Sequence, residues 1–255
     1  MSVRLFAASA IREIIGPIAK DAGIVTAKAT ADAFDTAILP HADIAALIAK
    51  GRAAPGFCSD LGRLFPGEPV YTVAIASGAV AADARAFARR LWEGRLAAGF
   101  EGVAMRRATG ADTAAARDLV FGVLGEYGFA PDPDGIDADL MDLEAGFLTD
   151  GGMFDVGIGQ DDRLGACCGM KILAEGRLEL RKMYVRRDMR GQGLGQRLLD
   201  RALAWARARA FERVELETAS VLKEAIALYR KAGFEPRPGK QGACRCDQAF
   251  VLKLG

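Results

Sequence analysis

Residues 190–195, Arg-Gly-Gln-Gly-Leu-Gly, are the residues of this chain best suited by type and spacing to bind a phosphate group. An apolar strand pattern, Leu178 to Val185, precedes this loop, and an amphipathic helix pattern follows it. Glycines let the backbone approach an anion closely, and the first N–H groups of a helix lack partners within the helix. The helix dipole adds a favourable partial charge. The order of strand, glycine loop and helix therefore predicts a pyrophosphate-binding site.

A second motif lies further along the chain, where Leu228 and Tyr229 are followed by Gly233 and Phe234. Together with the loop pattern of Arg190, Gly193 and Gly195, it resembles the GNAT superfamily of acyl-CoA-dependent N-acetyltransferases. The resemblance covers roughly residues 103–255. It implies an α/β fold with a GNAT-type mixed sheet flanked by helices, and transfer of an acetyl group from acetyl-CoA, the co-substrate.

The same resemblance implies how acetyl-CoA is held. The loop amides would bind its pyrophosphate, and Arg190 would add charge there; the alternative is a surface arginine. The preceding strand would offer main-chain groups to the pantetheine arm. Ser220 stands where many relatives carry an asparagine that touches this arm, and it is predicted to cap the following helix. The implied cofactor-binding residues are Met183, Val185, Arg190, Gly191, Gln192, Gly193, Leu194, Gly195 and Ser220.

Two residues are candidates for proton transfer. When an amine attacks a thioester, a thiolate leaves, and the Tyr229 phenol would protonate it, as tyrosines at this motif position commonly do in the family. The alternative is a tyrosine that packs its helix against the sheet. Glu179, on the strand before the loop, would take the proton from the amine, directly or through water. A glutamate that faces solvent is the alternative.

The acceptor site is expected at the first two helices of this half, around Glu126, Tyr127 and residues 131–150. That stretch is rich in carboxylates, which would form an acidic rim that attracts a cationic amine. The alternative is a solvated helix face. The predicted acceptor is a primary amine of a small molecule, an amino acid or a peptide. The carboxylates are Asp132, Asp134, Asp137, Asp139, Asp142 and Glu144.

Hydrophobic periodicity predicts alternating strands and helices in this half. Strands are expected at residues 103–107, 154–159, 164–172, 178–185, 213–218 and 248–254. Helices are expected at 112–127, begun by Asp112 or Thr113, at 136–148, from 194 onward, and at 221–232, ended by Gly233. Interleaved elements of this kind favour a mixed α/β sheet with helices on both faces.

Residues 1–101 contain no part of the acetyltransferase pattern. Their periodicity predicts a β-α-β-α-β-α order, and hence a small three-layer α/β lobe with a parallel sheet. Short stretches resemble one lobe of a molybdate-type periplasmic solute-binding protein whose inserted second lobe is absent. Ser9 would contact an oxyanion, and His41 is interpreted as a loop histidine. We therefore expect two domains, 1–101 and 102–255, the first with a structural, dimerising or ligand-sensing role.

Composition excludes several classes of function. The net charge of +1, with no dense basic stretch, argues against nucleic acid as a partner, and no apolar run is long enough for a membrane span. No signal peptide is evident. Five scattered cysteines favour reduced thiols in a cytoplasmic protein. With one histidine in the chain, Cys244 and Cys246 are not expected to bind metal.

Two alternative functions stay open at this point. One is a non-catalytic acyl-CoA-binding regulatory protein in which the first half senses a ligand. The presence of Tyr229 and Arg190 favours the enzyme. The other is a transport receptor, which the absent lobe disfavours. A homodimer is a further expectation for either form.

Overall fold

The computed structural model describes most of the second half of the chain and parts of the first. By its internal contacts the chain divides into two compact units, Met1–Arg107 with Ile158–Arg163, and Ala108–Gly157 with Leu164–Gly255. Ser9 and Cys244 lie outside the described residues, and the domain boundary after residue 101 stays a prediction. The described residues are 2–7, 11, 15, 17–20, 25–30, 33–50, 52–53, 58–62, 71–76, 82–93, 95, 102–174, 176–238 and 245–254.

The first unit contains a mixed sheet in the order β6-β4-β5-β3-β1-β2. Strand β1 is parallel to β2 and β3, but β5 is antiparallel to both β3 and β4. The prediction of a parallel sheet is therefore wrong for β5. The sequence analysis missed β4, which carries the chain across the sheet once more so that β5 returns in the opposite direction. The elements are β1 (Ser2–Ala7), β2 (Val25–Lys28), β3 (Thr36–Pro40), α1 (His41–Ala49), β4 (Ser59–Gly62), β5 (Tyr71–Ile75), α2 (Ala82–Glu93) and β6 (Ala104–Arg107).

Two hydrophobic clusters cover the two faces of this sheet. Because side chains alternate along a strand, Ile38 points to one face and its neighbours Ala37 and Leu39 point to the other. The Ile38 cluster includes Phe87 of α2, and the opposite cluster includes Ile44 of α1. The first unit therefore has the expected three layers.

The second unit contains a mixed sheet in the order β7-β8-β9-β10-β12-β11. Strand β9 is antiparallel to β8 and parallel to β10, and β12 is antiparallel to β10. The predicted mixed sheet flanked by helices is confirmed here. The elements are α3 (Thr113–Glu126), β7 (Met153–Ile158), β8 (Leu164–Ala174), β9 (Arg177–Val185), α4 (Leu194–Ala208), β10 (Arg213–Thr218), α5 (Lys223–Lys231), β11 (Glu235–Pro236) and β12 (Gln248–Lys253).

The segment 136–148, predicted as one helix, is instead a 3₁₀ turn at Ala138–Leu140 and a π-helical turn at Glu144–Leu148. Aspartate side chains accept the local N–H groups: Asp137 Oδ2 from Asp132 N at 3.0 Å, and Asp132 Oδ2 from Ile136 N at 3.2 Å. Such bonds compete with the helical ladder, so a regular helix does not form.

The predicted start of α3 is confirmed, because the helix begins at Thr113 with Asp112 at its N-cap position. A 3₁₀ turn, Gly110–Asp112, precedes α3, and Thr109 caps this turn in a reciprocal capping box with Asp112. The predicted start of α5 needs correction. Helix α5 begins at Lys223 with Leu222 at the cap, so Ser220 is not its N-cap.

The cysteine pair on β8 shows that both faces of this strand are packed. Cys167 and Cys168 are neighbours in the strand, so their side chains point to opposite faces. Both are buried, because each face of β8 is covered.

Candidate active site

A cavity of about 790 Å³ opens where β9 and β10 separate. The two strands pair only from Arg177 to Glu179 of β9, although both continue beyond that point. The walls come from both strands, the end of α3, the glycine loop, α5 and residues 245–246. The separation leaves β9 backbone without a strand partner on the cavity side, as is needed for an extended ligand to bind along it.

A β-bulge in β9 shapes this wall. Cys167 pairs with Tyr184 and Gly169 with Arg181, so Lys182 and Met183 together oppose the single residue Cys168. Lys182 has a φ of 51°, in the left-handed region that few non-glycine residues adopt. The Cys167 thiol donates a hydrogen bond to the Lys182 carbonyl at 3.1 Å. A bulge of this kind re-aims the strand, and residues 182–185 all line the cavity.

The glycine loop has the geometry expected of an anion site. Gly191 and Gly193 have φ values of 76° and 74°, which favour glycine. Gly193 is the N-cap of α4 and has no side chain to occupy the first N–H groups of that helix. A Cβ at either glycine would meet no atom within 4 Å, so the backbone is open to a ligand. These residues fit a pyrophosphate, and the cavity includes Gly191, Gly193, Leu194 and Gly195.

Arg190 is held in place beside the loop. Its Nε donates to the Val185 carbonyl at 2.9 Å, and its Nη1 pairs with Glu126 Oε2 at 2.8 Å. The cavity is lined by three residues predicted to bind the cofactor, Arg190, Met183 and Val185, and by Tyr127, which was predicted at the acceptor site. Glu126, by contrast, is not part of the cavity wall; it orients Arg190 instead.

Two other predicted cofactor residues, Gln192 and Ser220, also lie outside the cavity wall. The Gln192 amide points back to the Asp188 carbonyl at 3.5 Å. Ser220 binds Asp247 through its hydroxyl at 2.6 Å and its N–H at 2.7 Å. Ser220 thus joins the segment before α5 to the segment before β12.

Tyr229 lies in the cavity wall on α5 and is 6% exposed. Burial raises the pKa of its phenol above the ordinary value, so the hydroxyl is protonated at neutral pH and able to donate. A second cavity phenol, Tyr184 in the bulge, has a pKa raised for the same reason. The sequence analysis did not single out Tyr184, because this residue lies in an apolar strand pattern that is typical of core residues.

Glu179 also faces the cavity. Burial raises the pKa of its carboxyl, and the nearby Arg181 partly offsets that effect. The nearest charged atom of Arg181, Nη1, is 3.7 Å from Glu179 Oε2. A carboxylate with a raised pKa is a stronger base than an ordinary glutamate.

A cluster of five charged residues lies at this part of the wall. Its three cations line the cavity, and its two carboxylates lie behind them. Lys182 Nζ contacts Asp137 at 2.5 Å and Asp139 at 3.3 Å, and Arg245 contacts Asp137 at 2.5 Å. Arg181 Nε contacts Asp139 at 3.2 Å. Burial alone would raise the pKa of Asp137, but hydrogen bonds from Arg245 and Lys182 hold it below its usual range.

This cluster corrects the predicted acidic rim at its two most buried positions. Asp137 and Asp139 are buried and paired with cations rather than turned to the acceptor. The sequence analysis missed the three cations of the cluster, Lys182, Arg181 and Arg245. Each of them pairs with residues far along the chain, and no local pattern predicts such contacts. The exposed carboxylates of the predicted set are Asp134, Asp142 and Glu144.

Within the described residues, no group of three or more His, Cys, Asp or Glu side chains is arranged to hold a metal ion. The four described cysteines form no disulfide with one another. No helix among those that the structure describes combines the length and apolarity that a membrane crossing requires.

Comparison with known proteins finds relatives that are similar to parts of the second unit. The model of the acetyltransferase (GNAT) family matches residues 124–234. An uncharacterized N-acetyltransferase of Escherichia coli K12, YjgM, is 51% identical over 57 residues, 22% of this chain and 34% of the relative. The probable N-acetyltransferase camello of Xenopus laevis is 35% identical over 100 residues, 38% of this chain and 45% of the relative. The chain thus spans less than half the length of these relatives.

Solved structures give the same fold. The crystal structure of a GNAT-family acetyltransferase from Staphylococcus aureus Mu50 matches with a TM-score of 0.56 at 19% identity, covering 60% of this chain and 99% of that one. An acetyltransferase from Streptococcus agalactiae matches with a TM-score of 0.54. The family model thus matches residues 124–234, and these solved structures share the fold of the second unit.

Proposed function

We propose that this protein transfers the acetyl group of acetyl-CoA to a primary amine by direct attack of the amine on the thioester. The observation that carries this proposal is the cavity between β9 and β10. It joins the glycine loop to a buried tyrosine, Tyr229, and a carboxylate, Glu179, in one continuous space.

Acetyl-CoA supplies an activated acyl group when bound. The loop amides and Arg190 hold its pyrophosphate, and the unpaired part of β9 faces the pantetheine arm. Holding amine and thioester side by side removes much of the entropic barrier of a bimolecular reaction. The direct route requires no enzyme nucleophile.

The chemical step needs two proton transfers. The amine nitrogen attacks the thioester carbonyl carbon, so a C–N bond forms and the C–S bond breaks. Glu179, directly or through a water molecule, accepts the proton that the nitrogen loses, and Tyr229 gives its proton to the departing thiolate. Solvent returns a proton from Glu179 to Tyr229. The products are an N-acetylated amine and free CoA.

The first unit is proposed to have a structural or regulatory role, as a packing, dimerising or ligand-sensing lobe. Its three layers agree with such a lobe, but its likeness to a molybdate receptor stays a prediction. His41 is the first residue of α1 and not a loop residue; its Nδ1 lies 3.1 Å from Thr72 Oγ1. A cytoplasmic location and a homodimer also stay predictions.

The test is calorimetric titration of acetyl-CoA into the wild type and a Gly193→Glu variant. We expect micromolar binding by the wild type and none by the variant, because the new side chain is strained at φ 74° and its charge repels the pyrophosphate. Gly122→Glu is the matched control, since Gly122 lies on the exposed side of α3 with no atom near its Cβ position.

Equal binding by both glycine variants would contradict the phosphate-loop assignment. Binding without CoA release in the presence of any amine would favour the alternative, a non-catalytic acyl-CoA-binding regulatory protein.

A further inference from the structure

The charged cluster behind the cavity wall is asymmetric. Its three cations, Arg181, Lys182 and Arg245, all line the cavity, whereas its two carboxylates do not. Asp137 is 0% exposed and Asp139 8% exposed. The three cations in the wall, with Asp137 and Asp139 buried behind them, form a positive face of the cavity. This face lies beside Glu179 and Glu217, whose carboxylates also line the cavity.

This positive face lies far from the glycine loop. Glu179 and Arg181 precede Val185, where the loop side of β9 begins, by several residues of extended strand. At about 3.3 Å per residue, four residues from Arg181 and six from Glu179 place Val185 on the order of 13–20 Å away. The positive face is therefore at the end of the cavity remote from the pyrophosphate, where the acceptor must enter.

Arg181 is fixed with one nitrogen turned toward the cavity. Its Nε contacts Asp139 at 3.2 Å and its Nη2 donates to the Ile136 carbonyl at 2.9 Å. The remaining nitrogen, Nη1, lies 3.7 Å from Glu179 Oε2, beyond hydrogen-bond distance. Both side chains are partly open, Arg181 at 25% and Glu179 at 22% exposure.

Glu179 and Arg181 are two residues apart on β9, so they stand on the same face of the strand. The acceptor end of the cavity therefore offers a carboxylate and a guanidinium side by side, neither of them saturated by the other. Among described residues, Glu179 forms no other ion pair. A ligand that bears an ammonium and a carboxylate close together would satisfy both groups.

We propose that the acceptor is a free α-amino acid with an apolar side chain, an inference that rests on the proposed acetyltransferase function. Its ammonium binds at Glu179 and loses one proton to solvent to become the attacking amine; Glu179 then takes the second proton, which the nitrogen releases on attack. Its carboxylate lies at Arg181 and Arg245. Its side chain packs against the apolar part of the wall, formed by Val123, Phe129 and Ile136.

The same charges disfavour other amines. A peptide N-terminus has no carboxylate on the carbon next to its amine, so Arg181 would lose its partner. A polyamine has no carboxylate either, so Arg181 would again be left without its partner.

The experiment compares three acceptors that share one apolar group: L-phenylalanine, L-phenylalaninamide and 2-phenylethylamine. The same comparison is made with L-leucine, its amide and 3-methylbutylamine. CoA release by the full-length protein gives kcat/KM for each. Because a charge-assisted hydrogen bond is lost without the carboxylate, we expect the amino acids to exceed the amides and amines by about tenfold or more.

Two variants of Arg181 test whether this side chain produces the preference for amino acids over amides and amines. Arg181→Gln is expected to reduce kcat/KM for the amino acids toward that for the amides, through a higher KM, while Arg181→Lys keeps part of the preference. Arg117→Gln is the matched control, since Arg117 pairs with Asp118 on the exposed side of α3. The acetyl-CoA Kd of each variant checks its fold, and the wild-type series decides the question even if Arg181→Gln fails to fold.

Each outcome has one meaning. Preference for the amino acids, lost in Arg181→Gln, supports the proposal. Equal or faster reaction of the amides or amines overturns it and leaves the acetyltransferase function standing. Acetyl-CoA binding with no CoA release by any acceptor of either series overturns the acceptor class and the proposed reaction together.

Discussion

At the scale of single residues, the cavity is lined by two phenols, the half-buried Tyr184 and the buried Tyr229, and both have a raised pKa. Either would be protonated at neutral pH and chemically able to donate to a thiolate. Their positions differ, because Tyr229 lies on α5, whereas Tyr184 belongs to the bulge at the unpaired part of β9. Only measurement on each phenol separately can assign the acid.

We expect Tyr229→Phe to lower kcat by about 10²–10⁴-fold, the usual contribution of a general acid, and to leave the acetyl-CoA Kd nearly unchanged. Stopped assays of CoA release and calorimetry measure the two quantities. The matched control is Tyr184→Phe, which removes the same hydroxyl from the same cavity and should retain most of kcat. A larger loss of kcat in Tyr184→Phe would assign the acid to the bulge instead.

At the scale of elements, the Asp137 cluster connects three segments of the second unit. Lys182 belongs to the bulge of β9, Arg245 to the segment before β12, and Asp137 to the turn before Ala138–Leu140. Arg245 also donates to the Ala130 carbonyl at 3.1 Å. Since each segment contributes residues to the cavity wall, the cluster fixes the shape of the acceptor end and holds Lys182 in its left-handed conformation.

We expect Lys182→Met to destabilise the second unit by about 3–5 kcal/mol, because it removes the cation that contacts both buried carboxylates, Asp137 and Asp139. The pKa of Asp137 is held low, so its contribution is present at neutral pH and is lost as the pH falls below the ordinary aspartate range. The difference between variant and wild type should therefore shrink in acid. Urea unfolding followed by Trp205, in a Trp92→Phe background, measures it.

The control for this prediction is Lys253→Met, at an exposed position of β12. It should change the free energy of unfolding by less than about 0.5 kcal/mol. If both lysine variants lost similar amounts of unfolding free energy, Lys182 would contribute no more to stability than a lysine at the surface.

At the scale of the whole molecule, each unit has a sheet and a hydrophobic core of its own. The core of the first unit includes Phe87 and Leu91 of α2, and that of the second includes Leu198 and Leu199 of α4. Each unit also contains one of the two tryptophans, Trp92 in the first and Trp205 in the second. The unfolding of each unit can therefore be followed separately.

We expect Phe87→Ala to destabilise the first unit by about 3–5 kcal/mol, because Phe87 is 0% exposed and its removal leaves a cavity. Trp92 fluorescence in a Trp205→Phe background measures this loss. The acetyl-CoA Kd should stay unchanged, since every residue of the cavity wall belongs to the second unit. A parallel loss of acetyl-CoA affinity would instead show energetic coupling between the units.

Much of the second unit follows from the sequence alone. The strand, glycine loop and helix around Gly193, the α5 motif with Tyr229, and strand β10 all depend on contacts between neighbours in the chain. Periodicity, glycine conformations and capping report such local contacts directly. The placement of Arg190, Met183 and Tyr229 in one cavity could therefore be anticipated.

The tertiary structure decided the rest. Asp137 meets Lys182 across 45 positions of sequence and Arg245 across 108, and Glu126 meets Arg190 across 64. Pairing between such distant residues is fixed only when strands and loops pack together. The same holds for the bulge in β9 and for the antiparallel direction of β5. The sequence thus determined the glycine loop and the family resemblance of the second unit. The charges at the far end of the cavity were determined by packing, because only burial separates the cations in the wall from the carboxylates behind them.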